Sequence, residues 1–412
     1  MASPVASTAF DARTAFVVEL GARLHAYGTT AQRLEGALMA VARPLGLRCE
    51  AWSNPTGLIL SFSDDAQDPQ DSVTRVIRLP PGETDLSKLC AADRIAEEVI
   101  AGSLDVARGH AALRALDRMP RRRWRTMQVL GFGLAAAAVA GLLRLPWLDI
   151  ATAGVSGLLI GLLDLAARSR PQMKEAGEAL AAMLAAGIAI GVASLLAPLN
   201  LNTVIIASLI VLLPGMGLTN AVNELTSQHL VSGTARFAGA LSTILKLTIG
   251  AMLAHAIAHV LGLEPQVRAA RPQPDWVWAL ALAAGAYAFA VLLRAHRRDY
   301  PLVMAAAASG YLIAHFADRA LGVPAGVFLS ALVIAAAGNL FARMTNRPGA
   351  LIRVPGIVML VPGSASLRGL MDLLQPNGGE SSDALIGVLR ILLALVAGLL
   401  FGNLLIPARR NL

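Results

Sequence analysis

Two proline-glycine steps, a short run of amides and one lysine carry most of the chemistry this sequence can offer. Leu212–Thr226 contains Pro214-Gly215 followed by Thr219, Asn220, Asn223 and Glu224. An altered copy, Leu360–Leu374, contains Pro362-Gly363-Ser364 and Asp372. One fixed offset places Pro214 on Pro362, Gly215 on Gly363 and Glu224 on Asp372. Proline removes a backbone donor and the glycine after it frees the next dihedrals, so an apolar helix is expected to break at each site. In hydrocarbon such a break survives only where protein or a wet cavity satisfies the freed carbonyls. Unwound main chain beside Thr219, Asn220, Asn223 and Ser364 suits a small zwitterion; a polar helix cap is the competing reading. Glu224 and Asp372 are candidates to carry a proton or hold an ammonium group, against the alternative of solvated loop carboxylates.

Lys246 lies about eleven positions into the apolar run 235–261, ~16 Å from its start at 1.5 Å per residue. A lysine at that depth cannot snorkel easily, so it is expected to face a cavity or a carboxylate. Ser242, Thr243 and Gly250 share its helix face. The bland reading is a structural ion pair, with Asp164 as a partner. Arg390 is the corresponding base in the last apolar run, where it either serves the same site or snorkels to the surface. His255 and His259 have a metal-ligand spacing, but His255 falls opposite Lys246 and no third ligand is apparent, so a structural role is favoured. His315 and Asp318 read as an interface pair, and Asn339 as a buried polar group.

The elements that must position these residues are membrane spans. Of 412 residues, 56% are hydrophobic and 15% charged, with a mean hydropathy of +0.60. These values exclude a large soluble enzyme and fit a polytopic membrane protein with one soluble appendage. The net charge of +8 resides mainly in short loops between apolar runs, which points to membrane topology and away from nucleic acid. Cys49 and Cys90 are the only cysteines and signal neither a disulfide framework nor a metal cluster. The N-terminus lacks the basic and apolar regions of a cleaved signal peptide, so it is expected to stay in the cytoplasm.

Residues 1–120 read as a cytosolic α+β domain. Phe16, Val17, Leu20, Leu24 and Tyr27 recur at helical spacing up to Gly28, and Thr29 or Thr30 can cap a second helix closed by Gly46. Strands are expected at 48–52, 57–62 and 73–79, the first two joined by the turn Ser53-Asn54-Pro55-Thr56-Gly57, and helices at 86–100 and 103–116. The cluster Arg121-Arg122-Arg123-Trp124-Arg125 then marks the membrane boundary.

About ten segments long enough to span a bilayer follow, at 126–143, 148–167, 178–197, 201–219, 235–261, 276–294, 301–317, 324–342, 349–366 and 384–407. Arginines and lysines concentrate in alternate gaps on the side of the Arg121 cluster, which places both termini in the cytoplasm. Trp147, Trp276 and Trp278 fall at span ends on the other side, as belt residues do. Five segments per half is odd, so residues 121–265 and 266–412 are expected to form two five-helix repeats of inverted orientation. Pro214-Gly215 then lies toward the cytoplasmic end of segment four and Pro362-Gly363 toward the outer end of segment nine. Paired broken helices in inverted repeats mark the substrate site of a secondary transporter. No nucleotide-binding loop, nucleophile elbow, zinc helix or cysteine pair is present, so neither enzymatic activity nor a cofactor is expected and any energy comes from a gradient.

At these residues the chain resembles the bacterial threonine/serine exporter family in its fused two-half form. The resemblance rests on Gly28–Glu35, Leu45-Gly46 and Val73–Val76, and more specifically on Pro214-Gly215 through Leu225, Ser232–Arg236, Val354–Val358 and Leu360–Ser364. It covers nearly the whole chain. It implies proton-coupled export of small hydrophilic metabolites, threonine and serine foremost, across the bacterial inner membrane. Relatives split into two proteins are associated with dicarboxylate (succinate) export, a reading in which Lys246 and Arg390 become carboxylate partners. A membrane-anchored enzyme or metabolite sensor is the third reading. The resemblance also makes Val354-Pro355-Gly356 a first break ahead of Pro362. Partners expected are a small amino acid or carboxylate, lipid and protons, with homo-oligomerisation permitted by small residues such as Gly131, Gly133 and Gly141.

Overall fold

The computed structural model describes residues 4–64, 72–117, 122–267, 273–360, 363, 367 and 381–407. The N-terminal region is an α+β domain of helices α1 (Pro4–Ala26), α2 (Ala31–Ala42), α3 (Leu86–Ile100) and α4 (Val106–Ala115) on a three-stranded antiparallel sheet. Its strands run β1 (Leu47–Asn54), β2 (Gly57–Asp64) and β3 (Val73–Arg78) in that order. The Asn54 side chain accepts from Thr56 N at 2.9 Å and closes the β1–β2 turn, with Asn54 paired to Gly57. Leu58, Leu60 and Phe62 alternate inward from β2 onto Phe16, Leu20 and Leu24 of α1, all fully buried. Gly28 ends the first helical stretch at φ +82° and Gly46 the second at φ +68°, the left-handed conformation glycine adopts without strain. Asp85 and Asp105 cap α3 and α4 by accepting from Lys88 N and Ala107 N.

The rest is helical. The first half contains α5 (Arg122–Leu142), α6 (Trp147–Ala167), the short α7 (Pro171–Glu175), α8 (Gly177–Leu195), α9 (Leu201–Ser208), α10 (Gly215–Thr226) and α11 (Leu230–Val260). The second contains α12 (Asp275–Leu292), α13 (Tyr300–Leu321), α14 (Val323–Thr345), α15 (Ala350–Val358) and α16 (Ser381–Leu405). Among the described residues, 8 helices are long and apolar enough to cross a bilayer. The two expected spans missing from that set, 201–219 and 349–366, are the ones carrying the Pro-Gly steps. The first is divided into α9 and α10 by the irregular stretch 209–214, and α15 ends at Val358.

Both halves pack by one scheme. The short helix ahead of each break, α9 or α15, lies on the first three long helices of its own half: α5, α6 and α8, or α12, α13 and α14. The third and last long helices pair in both, α8 with α11 and α14 with α16. Small residues allow the approach. A Cβ added to Gly250 of α11 would stand 2.1 Å from Ala179 O of α8, and one on Gly310 of α13 would stand 2.2 Å from Gly356 O of α15. Leu241, Leu245, Ile249, Leu253 and Ile257 form an exposed apolar stripe on α11, as a lipid-facing surface requires. Exposed Trp147 and Trp276 sit together, ring centroids 5.9 Å apart, at the end remote from the α+β domain.

Two sequence expectations are corrected here. Pro355 does not break its helix: α15 runs through Val354-Pro355-Gly356. The dense packing of Leu351, Pro355 and Gly356 against α13 and α14 holds the segment helical despite the missing N–H. The two Pro-Gly steps are also not offset in depth. A Cβ placed on Gly363 would lie 3.0 Å from Leu213 Cβ and 3.4 Å from Gly215 Cα. Helix lengths explain it. At 1.5 Å per residue the 8 residues of α9 and the 9 of α15 rise ~12 and ~14 Å. Each is close to half of a ~30 Å hydrocarbon core. Entering from opposite sides, they end at the same level.

Candidate functional site

The site is built on the break in the first half. Between Ser208 and Gly215 the regular ladder gives way to scattered bonds, Ile210 N to Ala207 O at 3.3 Å, Leu212 N to Leu209 O at 2.8 Å and Leu213 N to Leu209 O at 3.2 Å. Among the described residues, no backbone N–H is donated to the carbonyls of Ile210, Val211, Leu212 or Leu213. Helix α10 starts at Gly215, so its first N–H groups and the positive end of its dipole point at the same place. Carbonyls and amides of opposite sign thus converge within a few residues. Gly215 has no side chain to cover them, and Gly363 arrives against it from the second half.

A cavity of ≈ 370 Å³ opens on this junction. Its body is formed by Ile210–Gly217, Phe132, Phe289, Leu292, Val358 and Gly363, and its mouth by Glu83, Gln128, Asp164, Arg168 and Arg294. The mouth leads into a vestibule of ≈ 580 Å³ beside the α+β domain, where Lys88, Arg125 and Lys174 add positive charge. Both signs are present there: Arg168 holds Asp164 at 2.8 Å, and Arg294 holds Glu83 at 2.9 Å. The opposite end is shut. Val204, Ile205, Ile206, Ala207 and Leu209 are buried, and Asn200 ties the start of α9 to buried Asp149 at 2.7 Å. The cavity is therefore open on the domain side and closed on the far side.

The sequence candidates divide into three groups. Pro214, Gly215 and Gly363 line the break cavity and Asp164 stands at its mouth. Asn220 and Asn223 point the other way, into a smaller cavity between α10 and the α+β domain. Thr219 is buried between the two faces, with its hydroxyl unpartnered among the described residues. Pro362, Ser364 and Asp372 lie outside the described residues.

Lys246 does not face the break. Its Nζ donates to Glu175 O at 3.0 Å and pairs with Glu178 at 3.6 Å, at the start of α8. Its partner is therefore Glu178; Asp164 is taken by Arg168. Lys246 stands near the middle of α11, but its side chain leaves toward the start of α8 and not toward the break. Thr243 donates to Gly239 O of its own helix at 3.3 Å and lines neither cavity. The Lys246–Glu178 pair is half-exposed, a class worth ~0–1 kcal/mol. Lys246→Ala is accordingly expected to leave transport within about twofold; a tenfold loss in vesicle efflux would return Lys246 to the site.

Glu224 is neither free nor solvated. It is fully buried and accepts four contacts: Ala31 N at 2.9 Å, Ser232 Oγ at 2.7 Å and Arg236 Nε at 2.9 Å to each oxygen. This carboxylate joins the second half of the broken span to the first turn of α2. His229 to Glu35 at 3.1 Å and Ser227 to Gln32 at 3.3 Å extend the seam. On the other repeat, Leu86 N and Ser87 N donate to Leu293 O and Arg294 O at the end of α12. The α+β domain therefore grips both halves beside the cavity mouth.

Of the other polar candidates, Asn339 donates to Asn403 Oδ1 at 2.9 Å and Ile406 O at 2.6 Å, and His255 is held by Ala251 O at 2.9 Å. His315 stacks on Tyr311 and tilts against Trp278. Arg390 is exposed. Two residues escaped sequence reading: Arg353, buried at 6% exposure, and Arg33. Arg353 falls inside the expected span 349–366, where a lone arginine reads as part of the cytoplasmic charge bias.

Residues 15–258 match the family described as "Putative threonine/serine exporter", and residues 278–405 match "Threonine/Serine exporter, ThrE". The chain is 25% identical over 378 residues to Pheromone-regulated membrane protein 10 of Pichia sorbitophila, covering 88% of this chain and 37% of that protein. With its Zygosaccharomyces rouxii counterpart it shares 23% over 394 residues, 91% of this chain and 40% of the other. It is 22% identical over 368 residues to the "Probable threonine/serine exporter" of Mycobacterium tuberculosis, covering 85% and 68% of the two chains. The chain thus spans about two fifths of the length of these fungal relatives. No solved structure matches it. A family match over more than half its residues and a second over most of the remainder agree with a multi-pass helical fold carrying paired broken helices, and the chain belongs to the threonine/serine exporter family.

Proposed function

We propose that this protein is a secondary exporter of small amino acids, threonine or serine foremost, driven by a proton gradient. One observation carries the reading: the two broken spans meet, Gly363 against Gly215, over a cavity open toward the α+β domain. The substrate carboxylate takes the N–H groups at the start of α10, and its ammonium takes the carbonyls of Ile210–Leu213. The apolar body of the cavity accommodates a short side chain. The paired charges at the mouth pass a zwitterion without a large electrostatic barrier. Asp164 is the membrane-helix carboxylate beside this path and the group assigned to the coupling proton; Glu224, saturated with donors, holds the broken span in place. In this reading the α+β domain is cytoplasmic, the membrane is a bacterial inner membrane, and no step of catalysis is required.

The test is efflux from liposomes loaded with labelled threonine, serine or succinate, with and without a pH gradient. Threonine or serine efflux that rises with the gradient supports the proposal, and Asp164→Asn should remove that dependence. Succinate efflux alone would move the protein to the dicarboxylate reading. No efflux of any of the three would leave the exporter assignment without its cargo.

A further inference from the structure

Behind the break lies a second cavity of ≈ 110 Å³, walled by α10, α15 and α16 on the membrane side and by the loop after α1 on the other. Met216 belongs to both cavities and separates them. Two arginines, Arg33 and Arg353, line it, with no carboxylate residue among its described lining. Arg353 is 6% exposed, and its Nη1 has no partner among the described residues. Thr29 and Thr30, of the same lining, have hydroxyls that are likewise buried and unpartnered among the described residues. A buried cation without a counter-ion is costly, and so is each orphaned donor. Three independent groups left unsatisfied around one hollow describe a site shaped for something that fills it.

We propose that this cavity binds a small carboxylate, at a site distinct from the break cavity and formed jointly by the α+β domain and both broken spans. Two guanidiniums facing one small space match the planar, two-oxygen geometry of a carboxylate. The side-chain amides of Asn220 and Asn223 and the threonine hydroxyls supply donors and acceptors for an amino, hydroxyl or second acid group. The remaining walls, Leu89, Ile357 and Leu399 among them, are apolar. They suit a short carbon skeleton and not a free phosphate, which needs hydrogen bonds on every side. Desolvation of the half-buried Arg33 lowers its pKa to about 10, so it stays protonated at neutral pH and gains from an anion. Because the ligand touches the domain, α10 and α15 together, it binds best when all three are docked. Its binding and the closed domain seam therefore favour one another, a regulatory coupling to the broken spans. This inference does not depend on which cargo crosses the membrane.

The experiment uses the full-length protein in nanodiscs with the break cavity filled by Gly363→Leu, so that ligand response reports the second cavity alone. Thermal unfolding is followed at increasing succinate, threonine or inorganic phosphate, at constant ionic strength. The expected result is a concentration-dependent rise in Tm with succinate or threonine, its apparent Kd weakened about tenfold or more by Arg33→Gln or Arg353→Gln. Should Arg353→Gln not yield monodisperse protein, the partly exposed Arg33→Gln decides. An unchanged response in Arg33→Gln, a rise with phosphate only, or no rise at all on the Gly363→Leu background would each overturn the proposal. Failure of the export reading appears separately, in the efflux assay of the unsubstituted protein.

Discussion

Gly363→Leu abolishes transport and leaves the protein folded in the membrane. At Gly363 even a methyl group stands 3.0 Å from Leu213 Cβ, and a longer side chain has nowhere to go but the space between the breaks. That space is where the freed carbonyls of Ile210–Leu213 and the first amides of α10 converge. Filling it displaces the substrate, and misplacement of ~1 Å at such a site is enough for a loss on the order of 10²-fold. Folding should survive because the cavity is open on one side and its wall can yield toward the vestibule. Efflux from proteoliposomes, with elution volume and helical content as controls, checks both halves of the expectation. Gly363→Ala should be intermediate, since the close neighbour is a side-chain atom that can give by a few tenths of an ångström. Full activity in the leucine variant would remove the meeting of the breaks from the mechanism.

The second large effect belongs to Glu224. Replacing it by alanine leaves the part-buried Arg236 without its carboxylate and strips an acceptor from Ala31 N and Ser232 Oγ. Breaking a fully buried ion pair costs ~3–5 kcal/mol, and this loss is smaller because Arg236 keeps some solvent, but it still exceeds the small cost of losing the half-exposed Lys246 pair. The loss should appear first at the seam between the α+β domain and α10, as faster hydrogen exchange over Ala31–Ala42 and earlier proteolysis near the membrane boundary. Arg236→Ala should do much the same, and the double variant little more than either single one, because the two side chains act as a unit. Additive losses would mean that Glu224 owes its burial to something other than this pair.

These residues also mark how far the sequence could be read. Apolar runs, arginine-rich gaps and the repeated Pro-Gly step are local signals, and each yielded its element: the long helices, the α+β domain and the two interrupted spans. The site was only half legible. Gly215 and Gly363 could be paired by offset, yet their shared depth depended on where α9 and α15 start, and helix ends are weakly encoded. Lys246 misled for another reason: its place along α11 was legible, but the neighbour its side chain meets, the start of α8, was not. Glu224 looked like a loop carboxylate because its partner Ala31 is almost two hundred positions away, a contact that no periodicity announces. Arg33 and Arg353 come together across a still longer separation. Tertiary docking of the α+β domain, not any local pattern, makes the Glu224 contact and brings both arginines to one cavity.

The central claim is that the two broken spans touch, and cross-linking measures this directly. In a protein with Cys49 and Cys90 replaced by serine, Gly215→Cys and Gly363→Cys are introduced singly and together, and membranes are treated with a mild oxidant. Gly215 Cα lies 3.4 Å from the Cβ position of Gly363, within the reach of a disulfide. The account predicts an intramolecular cross-link in the double variant, absent from either single one, and slowed by threonine in the cavity. A double variant that stays reduced while a control pair across α5 and α12, Ala138→Cys with Gly285→Cys, whose Cβ positions lie 3.4 Å apart, becomes cross-linked would contradict it.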